Sequence, residues 1–206
     1  MKFKNVNFTL SNAKLGGFIP SLDMPPIITC RKNAPCIKGC YARKGNFMYK
    51  NKQMSMQANL EAYKQDSKAF FDTVVEFLNN GDIAYKFFRW FGAGDIVDHN
   101  FLVGACEVAK QCPTIRFLMF TKKYELVNEF LTINEIPSNL HIVFSMWDKD
   151  FKVENPYNLP QAYVNFKNKE CNPVIPEHAI PCQGDCSSCK SCWSLVKNQS
   201  VYFNQH

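Results

Sequence analysis

Apolar residues recur along the chain in short blocks, and their spacing alternates between the period of a helix and that of a buried strand. From about Lys52 to Asn79 the apolar positions fall at helical spacing, with a break near Asp66 and Ser67. Either residue can cap a second helix, because its side-chain oxygen can accept a hydrogen bond from an amide of the first turn. The pattern therefore predicts two consecutive helices before residue 80.

Beyond residue 80, apolar runs typical of buried strands alternate with helical stretches. The predicted strands cover residues 83–91, 115–120, 140–146 and 162–166, and the predicted helices cover 100–111 and 123–133. An earlier strand at Ile27-Ile28 would lead into the first cysteines. Alternation of this kind implies a parallel sheet with right-handed crossovers. We expect an α/β fold with five or six strands and flanking helices, which suits an incomplete TIM-barrel-like sheet better than a closed barrel of eight strands.

In parallel α/β folds the chemistry collects at the carboxyl ends of the strands. Four segments follow predicted strands and are expected to meet around one mouth: Cys30, the turn Gly92 to Asp95, Thr121-Lys122 and Trp147-Asp148. The sequence therefore places the candidate site at this end of the sheet.

The length of 206 residues is enough for one well-buried domain with at most a small appended module. Hydrophobic residues make up 46% and charged residues 20%, a balance that argues against long disordered segments. We predict an α/β domain over residues 1–170. A cysteine-rich metal-binding segment over residues 171–206 would pack on the same domain.

The N-terminal stretch has lysines but no apolar signal-peptide core, and no run of eighteen apolar residues occurs. We therefore expect a cytoplasmic protein without a membrane partner. Thiols stay reduced in that compartment, so the ten cysteines are expected to be metal ligands or free thiols rather than disulfides. The net charge of +6 is spread over scattered lysines, so nucleic acid is a partner that the composition does not favour.

Seven of the ten cysteines fall in two short loops. The first loop contains Cys30, Cys36 and Cys40, and the second contains Cys182, Cys186, Cys189 and Cys192. Two thiolates about 6 Å apart would repel by about 3 kcal/mol at an effective dielectric constant of about 20. Sulfurs grouped in this way therefore stay protonated unless a metal cation binds them.

The first loop suits a 4Fe-4S cluster that keeps one iron open, because each of its three thiolates can bind one corner of the cluster. A zinc site completed by a distant His or Cys is an alternative, and so are three unrelated free thiols. The second loop has the spacing C-x3-C-x2-C-x2-C, like one ferredoxin loop read backwards. We favour iron and sulfur there over a four-cysteine zinc knuckle, which usually has a longer spacer between its pairs.

The other cysteines have simpler interpretations. Cys171 lies eleven residues before Cys182 and could replace one ligand, although an ordinary buried thiol is the more economical reading. Cys106 and Cys112 belong to a predicted amphipathic helix and are expected to be core thiols. Because a metal bound by four thiolates keeps a net negative charge, we expect neighbouring cations to offset it. The cations adjacent to the candidate ligands in the sequence are Arg31, Lys32, Lys38 and Lys190.

Four landmarks together resemble the phage gene-product-88 family. They are the loop from Cys30 to Ala42, the stretch from Phe88 to Ile96, the strand end from Phe120 to Lys123, and the terminal segment from Cys182 to Trp193. That family is itself similar to radical SAM proteins, in which a three-cysteine loop holds a 4Fe-4S cluster whose open iron chelates S-adenosylmethionine (SAM). The resemblance implies a phage protein in the host cytoplasm that cleaves SAM reductively to start radical chemistry on an unknown substrate.

This chain departs from the radical SAM loop in its spacing. The usual loop is C-x3-C-x2-C with an aromatic residue just before the last cysteine, whereas this chain has C-x5-C-x3-C with Tyr41 just after Cys40. Within the resemblance, the candidate cofactor-binding residues are Tyr41, the aromatic residue beside the last cysteine, and Gly92, Gly94 and Asp95, whose turn is similar to the glycine-rich motif that meets the SAM amino group. The alternative is that these glycines only form a tight turn between a strand and a helix, which needs the same residues.

Three functions are consistent with these features. In the first, one or two 4Fe-4S clusters and SAM act together, with a ferredoxin or flavodoxin as electron donor and the second centre as an auxiliary cluster or electron relay. In the second, the protein is an iron-sulfur electron carrier or redox sensor that does not use SAM, which the altered loop spacing favours. In the third, zinc stabilises a module that binds nucleic acid through its lysines and aromatic residues.

Overall fold

The structure is a computed structural model that describes residues 6–10, 14–79, 84–147, 149–150, 152–167 and 172–204. The strands are β1 (Phe8–Thr9), β2 (Ser21–Leu22), β3 (Phe87–Trp90), β4 (Arg116–Thr121), β5 (Leu140–Met146), β6 (Gln161–Asn165), β7 (Ile180–Pro181) and β8 (Ser200–Asn204). The helices are α1 (Lys50–Gln65), α2 (Ser67–Asn79), α3 (His99–Gln111), α4 (Tyr124–Phe130) and α5 (Cys186–Cys189). None of the helices within these residues has the length and apolar character that crossing a bilayer requires.

In the described residues all eight strands form one sheet, in the order β1-β2-β3-β4-β5-β6-β8-β7. β1 pairs antiparallel with β2, and every other neighbouring pair is parallel. The predicted α/β class, with a mostly parallel sheet and flanking helices, is therefore confirmed. The predicted number of five or six strands is too low, and the sheet is open rather than closed. Its barrel-like character is not confirmed.

The strand predicted at Ile27-Ile28 is wrong. β2 ends at Leu22, and Ile27 lies in a turn with a positive φ of 71°. Pro25 and Pro26 precede this turn and have no N–H group to pair with a neighbouring strand, which explains why the sheet ends before them. The cysteine loop therefore begins in irregular structure and not at the end of a strand.

Successive residues of the central strands point to opposite faces of the sheet and enter two separate apolar cores. On one face, Phe88, Phe117 and Phe144 pack with the long helices in the larger core. On the other face, Leu118 and Val143 pack with residues from both ends of the chain. These are Leu15, Ile19, Trp193, Leu195 and Val201. Both faces of the sheet are thus covered, and the C-terminal segment belongs to the second core. The boundary at residue 170 stays a prediction and lies outside the described residues.

Helices α2 and α3 are in close contact at Gly104. A Cβ added to Gly104 would lie 1.9 Å from the nearest ring carbon of Phe71. The Phe71 ring is packed against Trp90 and Phe101, with ring centroids 6.2 Å and 5.2 Å away, so it has little room to move. Because this overlap outweighs the helix propensity that alanine adds, we expect Gly104→Ala to lower the free energy of unfolding by about 1–3 kcal/mol.

Urea denaturation measures this difference. Gly39→Ala is the matched control, since a Cβ there would meet nothing within 4 Å. It should change the free energy of unfolding by less than about 0.5 kcal/mol. Equal stabilities of the two variants would show that the helices are not in close contact at Gly104.

Candidate functional site

The first cysteine loop lies against the segments that follow β3 and β4. Cys36 is on a 3₁₀ turn over Pro35–Ile37, and Cys40 directly precedes another over Tyr41–Arg43. The three thiols of the loop are all free and partly buried. The N–H of Ile27 donates a hydrogen bond to Cys30 Sγ at 3.3 Å, so the unusual backbone of this turn serves to hold the first thiol.

The three thiols of this loop influence one another electrostatically. The pKa of Cys30 is raised to about 11, mainly by burial and in part by the Asp95 carboxylate and the Cys36 and Cys40 thiols, while the hydrogen bond from the Ile27 N–H lowers it. Burial also raises the pKa of Cys36. The Lys122 ammonium lowers this pKa, and the Cys40 thiol raises it. Cys30 and Cys36 are therefore thiols at neutral pH unless a metal replaces their protons.

Asp95 joins the turn after β3 to the end of β4. Its Oδ1 accepts hydrogen bonds from Thr121 Oγ1 at 2.6 Å and from the Ile96 N–H at 2.8 Å, and its Oδ2 accepts one from the Lys122 N–H at 3.0 Å. The side chain is buried, and burial raises the pKa of Asp95. Its role as a cofactor-binding residue stays a prediction, because both carboxylate oxygens are already bonded within the protein.

The other candidate cofactor-binding residues also lie at this turn. The Tyr41 ring is 53% exposed, but its hydroxyl points inward and donates to the Gly92 carbonyl, and burial of that hydroxyl raises the pKa of Tyr41. Gly94 has a φ of 82°, and a Cβ there would lie 2.6 Å from the Met24 carbonyl oxygen. The structure therefore brings Tyr41, Gly92 and Gly94 together beside the cysteine loop, and both glycines are in close contact with the segment after β2.

A buried ion pair beneath the same turn was not predicted from the sequence. Asp23 accepts hydrogen bonds from the Ala93 N–H at 3.0 Å and from Thr9 Oγ1 at 3.1 Å, and it forms an ion pair with Lys52. A Cβ at Gly92 would lie 2.6 Å from Asp23 Oδ1. Asp23 follows a strand of two residues, which is too short to recognise from a hydrophobic pattern.

The second cysteine loop folds onto the N-terminal segment. Cys182 directly follows β7, and its N–H donates to a carbonyl of β8 at 2.8 Å. Asp185 caps α5 by accepting a hydrogen bond from the Ser187 N–H at 2.8 Å. The Cys186 N–H donates to the Lys14 carbonyl at 2.9 Å. Hydrogen bonds at both ends thus fix a loop that has few apolar residues of its own.

The thiols of this loop form a second electrostatic group. Burial raises the pKa of Cys192 to about 12, and the Cys186, Cys182 and Cys189 thiols add to the effect while the Arg89 guanidinium opposes it. Burial also raises the pKa of Cys186. The charges of Arg89 and Lys14 lower this pKa, and the Cys182 and Cys189 thiols raise it. The four cysteines that the spacing grouped together are therefore neighbours in space.

The cations that act on the thiols differ from those predicted from adjacency in the sequence. Arg31 forms an ion pair with Glu125 at 2.6 Å, and the Lys190 ammonium lies 5.7 Å from the centroid of the Phe87 ring. The cations that lower thiol pKa values are instead Lys122 in the first group and Arg89 and Lys14 in the second. These three residues reach the thiols only because the sheet and the N-terminal segment bring them there.

Arg89 acts on the second group of thiols and on Tyr41, which directly follows the first group. It lies on β3, its guanidinium is 5.4 Å from the centroid of the Phe120 ring, and it lowers the pKa of Tyr41 as well as those of Cys186 and Cys192. Its Nε is buried and has no hydrogen-bond acceptor among the described residues. A half-buried cation with an unused Nε donor beside the second group of thiols would offset part of the negative charge that thiolates there would carry.

Within the described residues, no three His, Cys, Asp or Glu side chains form a group that could hold a single metal ion. A cubane cluster has a different requirement, because each cysteine binds a separate iron atom and the sulfurs surround the cluster. The two donor sets consist of thiols alone, which suits iron and sulfur. Cys171, expected to be a buried thiol with a ligand role as the alternative, lies outside the described residues.

Other predicted residues fall where the sequence pattern indicated. Cys106 and Cys112 are buried in the larger core, as expected of core thiols. Lys122 follows β4, and its ammonium lies 5.1 Å from the centroid of the Trp147 ring, which follows β5. The strand-end segments therefore meet around one mouth, although Asp148 lies outside the described residues.

An open α/β sheet with two groups of thiols and a glycine-rich turn defines a cysteine-rich α/β protein whose candidate functional site lies at its two cysteine loops. The family model described as Gene product 88 matches residues 1–195, and the chain belongs to this bacteriophage family. The matched region includes both groups of cysteines. No curated protein and no solved structure matches the chain.

Proposed function

We propose that the protein is an iron-sulfur protein with two centres on one sheet. Cys30, Cys36 and Cys40 hold a 4Fe-4S cluster in this proposal, and the C-terminal loop holds the second centre through Cys182, Cys186, Cys189 and Cys192. The observation that carries the proposal is the arrangement of these seven thiols in two groups, within each of which the thiols influence one another's pKa values, with Arg89 acting on the second group. A metal cation can replace the protons of such thiols and bind them as thiolates.

In the fuller form of this proposal the protein is similar to radical SAM enzymes in architecture, with a partial barrel and SAM at the first centre. A bound 4Fe-4S cluster would supply the electron that cleaves SAM and starts radical chemistry. The chain's own residues shape the site around it. Asp95 holds the Gly92–Asp95 turn against the end of β4 through its hydrogen bonds. The Tyr41 hydroxyl connects the cysteine loop to this turn by donating a hydrogen bond to the Gly92 carbonyl. The Lys122 ammonium offsets part of the thiolate charge.

A specific observation favours the second candidate, an iron-sulfur electron carrier or redox sensor without SAM. The polar groups of the turn already have partners within the protein. The Gly92 carbonyl accepts from Tyr41, the Ala93 carbonyl accepts from the Met24 N–H at 3.0 Å, and the Ala93 N–H donates to Asp23. Each carbonyl has a second lone pair, so SAM is not excluded, but the turn is stable without it.

An anaerobic preparation tests both candidates. We expect brown protein containing iron and acid-labile sulfide in equal amounts, with little zinc. If SAM binds, the EPR signal of the reduced cluster should change on addition of SAM, and SAM should be cleaved under reducing conditions. An unchanged signal and intact SAM would select the electron carrier. Folded protein that contains zinc but no iron would contradict the proposal as a whole.

A further inference from the structure

The stretch between Asp23 and Glu61 contains no acidic residue. Its cations are Arg31, Lys32, Lys38, Arg43, Lys44, Lys50 and Lys52. The whole chain has a net charge of +6, so the rest of the protein is together nearly neutral. The positive charge of this protein is thus concentrated in the stretch that contains the three cysteines of the proposed first centre.

Most of these cations face solvent. Arg31 and Lys52 form ion pairs with Glu125 and Asp23. The other five are exposed and form no ion pair with the described residues: Lys32, Lys38, Arg43, Lys44 and Lys50. The charge of the five outward side chains is therefore available to a partner.

Exposed apolar side chains lie among these cations. Ile28 and Tyr49 are 66% and 67% exposed, and Met48 and Met54 are also more than half exposed. We call the set formed by these residues and the five cations the basic loop surface. Its members are Ile28, Lys32, Lys38, Arg43, Lys44, Met48, Tyr49, Lys50 and Met54. Exposed apolar residues interspersed with exposed cations along one stretch of chain are typical of a protein-protein contact.

We propose that the basic loop surface is the docking site for an acidic electron-transfer protein, an inference that rests on the proposed iron-sulfur function. Opposite charge would steer such a donor to the loop, and contact there would place its redox group next to the first centre. A nucleic acid would use the lysines and could stack on Tyr49, but it has no equivalent use for exposed Ile28 and Met54. The aliphatic residues therefore favour a protein partner.

The test compares two reductants of the loaded protein. One is a flavodoxin with a strongly acidic face, reduced to its hydroquinone. The other is photoreduced deazariboflavin, which is small and uncharged and needs no docking site. The variant is Lys32→Glu/Lys38→Glu/Lys44→Glu. The matched control, with the same change in net charge at exposed lysines elsewhere, is Lys64→Glu/Lys86→Glu/Lys197→Glu.

Stopped-flow bleaching of the cluster gives the rates. At about 20 mM salt the loop variant should be reduced by flavodoxin at least about 10-fold more slowly than the wild type or the control, and the difference should shrink at about 500 mM salt. Deazariboflavin should reduce all three proteins at one rate. Equal flavodoxin rates in the loop variant and the control would overturn the docking site while leaving the iron-sulfur proposal intact.

Two further outcomes separate the remaining possibilities. Filter binding of single-stranded RNA and duplex DNA is measured on the same proteins. If the loop variant loses nucleic-acid binding but keeps its flavodoxin rate, the surface binds nucleic acid and the inference is wrong. If the wild-type protein contains no iron, the proposed iron-sulfur function is wrong. Iron analysis of the preparation shows this before any reduction rate is measured.

Discussion

Replacing Cys36 with serine should remove the iron of the first centre and leave the second centre loaded. Cys36 is one of three thiols that the loop offers, so its loss leaves two ligands for a cluster that needs at least three. Serine is a poor substitute because its hydroxyl keeps its proton at neutral pH, whereas a thiolate is a strong ligand for iron. Iron per protein chain should therefore fall by about half in anaerobic material if both centres are cubane clusters.

Cys189→Ser should give the reciprocal result, with the second centre lost and the first retained. The two variants should differ in the EPR spectrum of the iron that remains. Cys106→Ala is the matched control, because Cys106 is a buried thiol in the helical core and should not affect the iron content. Loss of all iron in either serine variant would show that the seven thiols form one interdependent site. Unchanged iron in both would show that these thiols are not ligands.

The long helices and central strands were predictable because each carries its own local pattern. The strand β5 has the predicted bounds, and α3 begins one residue before the predicted helix. Asp66 accepts a hydrogen bond from the Ala69 N–H at 2.9 Å, as expected of a residue that caps α2. Hydrophobic period and capping chemistry are local properties, so they can be read without knowledge of the tertiary contacts.

The strands that were missed depend on their neighbours. β1, β2 and β7 have two residues each, so their conformation comes from pairing with adjacent strands and has no period of its own. β8 was missed although it has five residues, since its neighbours in the sequence are polar and it follows the cysteine loop. These strands complete the sheet and bring the C-terminal cysteines to it.

In the candidate site, too, the features set by local sequence were predictable and those set by tertiary contacts were not. Spacing alone grouped the cysteines correctly in space, because residues a few positions apart stay close in any fold. The cations that act on them come from β3, the segment after β4 and the N-terminal segment, and nothing in their local sequence distinguishes Arg89, Lys122 or Lys14 from other basic residues. Adjacency in the sequence therefore predicts which thiols lie together better than it predicts the charged residues around them.

Asp95 is the predicted cofactor residue whose observed contacts differ most from that role, and its substitution should have a large effect on stability. Asp95→Ala would leave the Thr121 hydroxyl and the N–H groups of Ile96 and Lys122 without their acceptor in a buried region. Each buried group left unpaired costs about 1–3 kcal/mol, and some will find water. We expect the free energy of unfolding to fall by about 2–5 kcal/mol in urea denaturation.

Asp95→Asn separates the structural role from a ligand role. Asparagine keeps one oxygen acceptor for Thr121 and Ile96, but its amide group would face the Lys122 N–H, so we expect a loss smaller than that of alanine. Asp185→Ala, which removes an exposed cap of α5, should cost far less than Asp95→Ala. If Asp95→Ala instead kept its stability and lost only the EPR response to SAM, Asp95 would be a cofactor ligand. A large loss of stability that Asp95→Asn partly restores would mean that Asp95 acts by holding the turn after β3 against the end of β4.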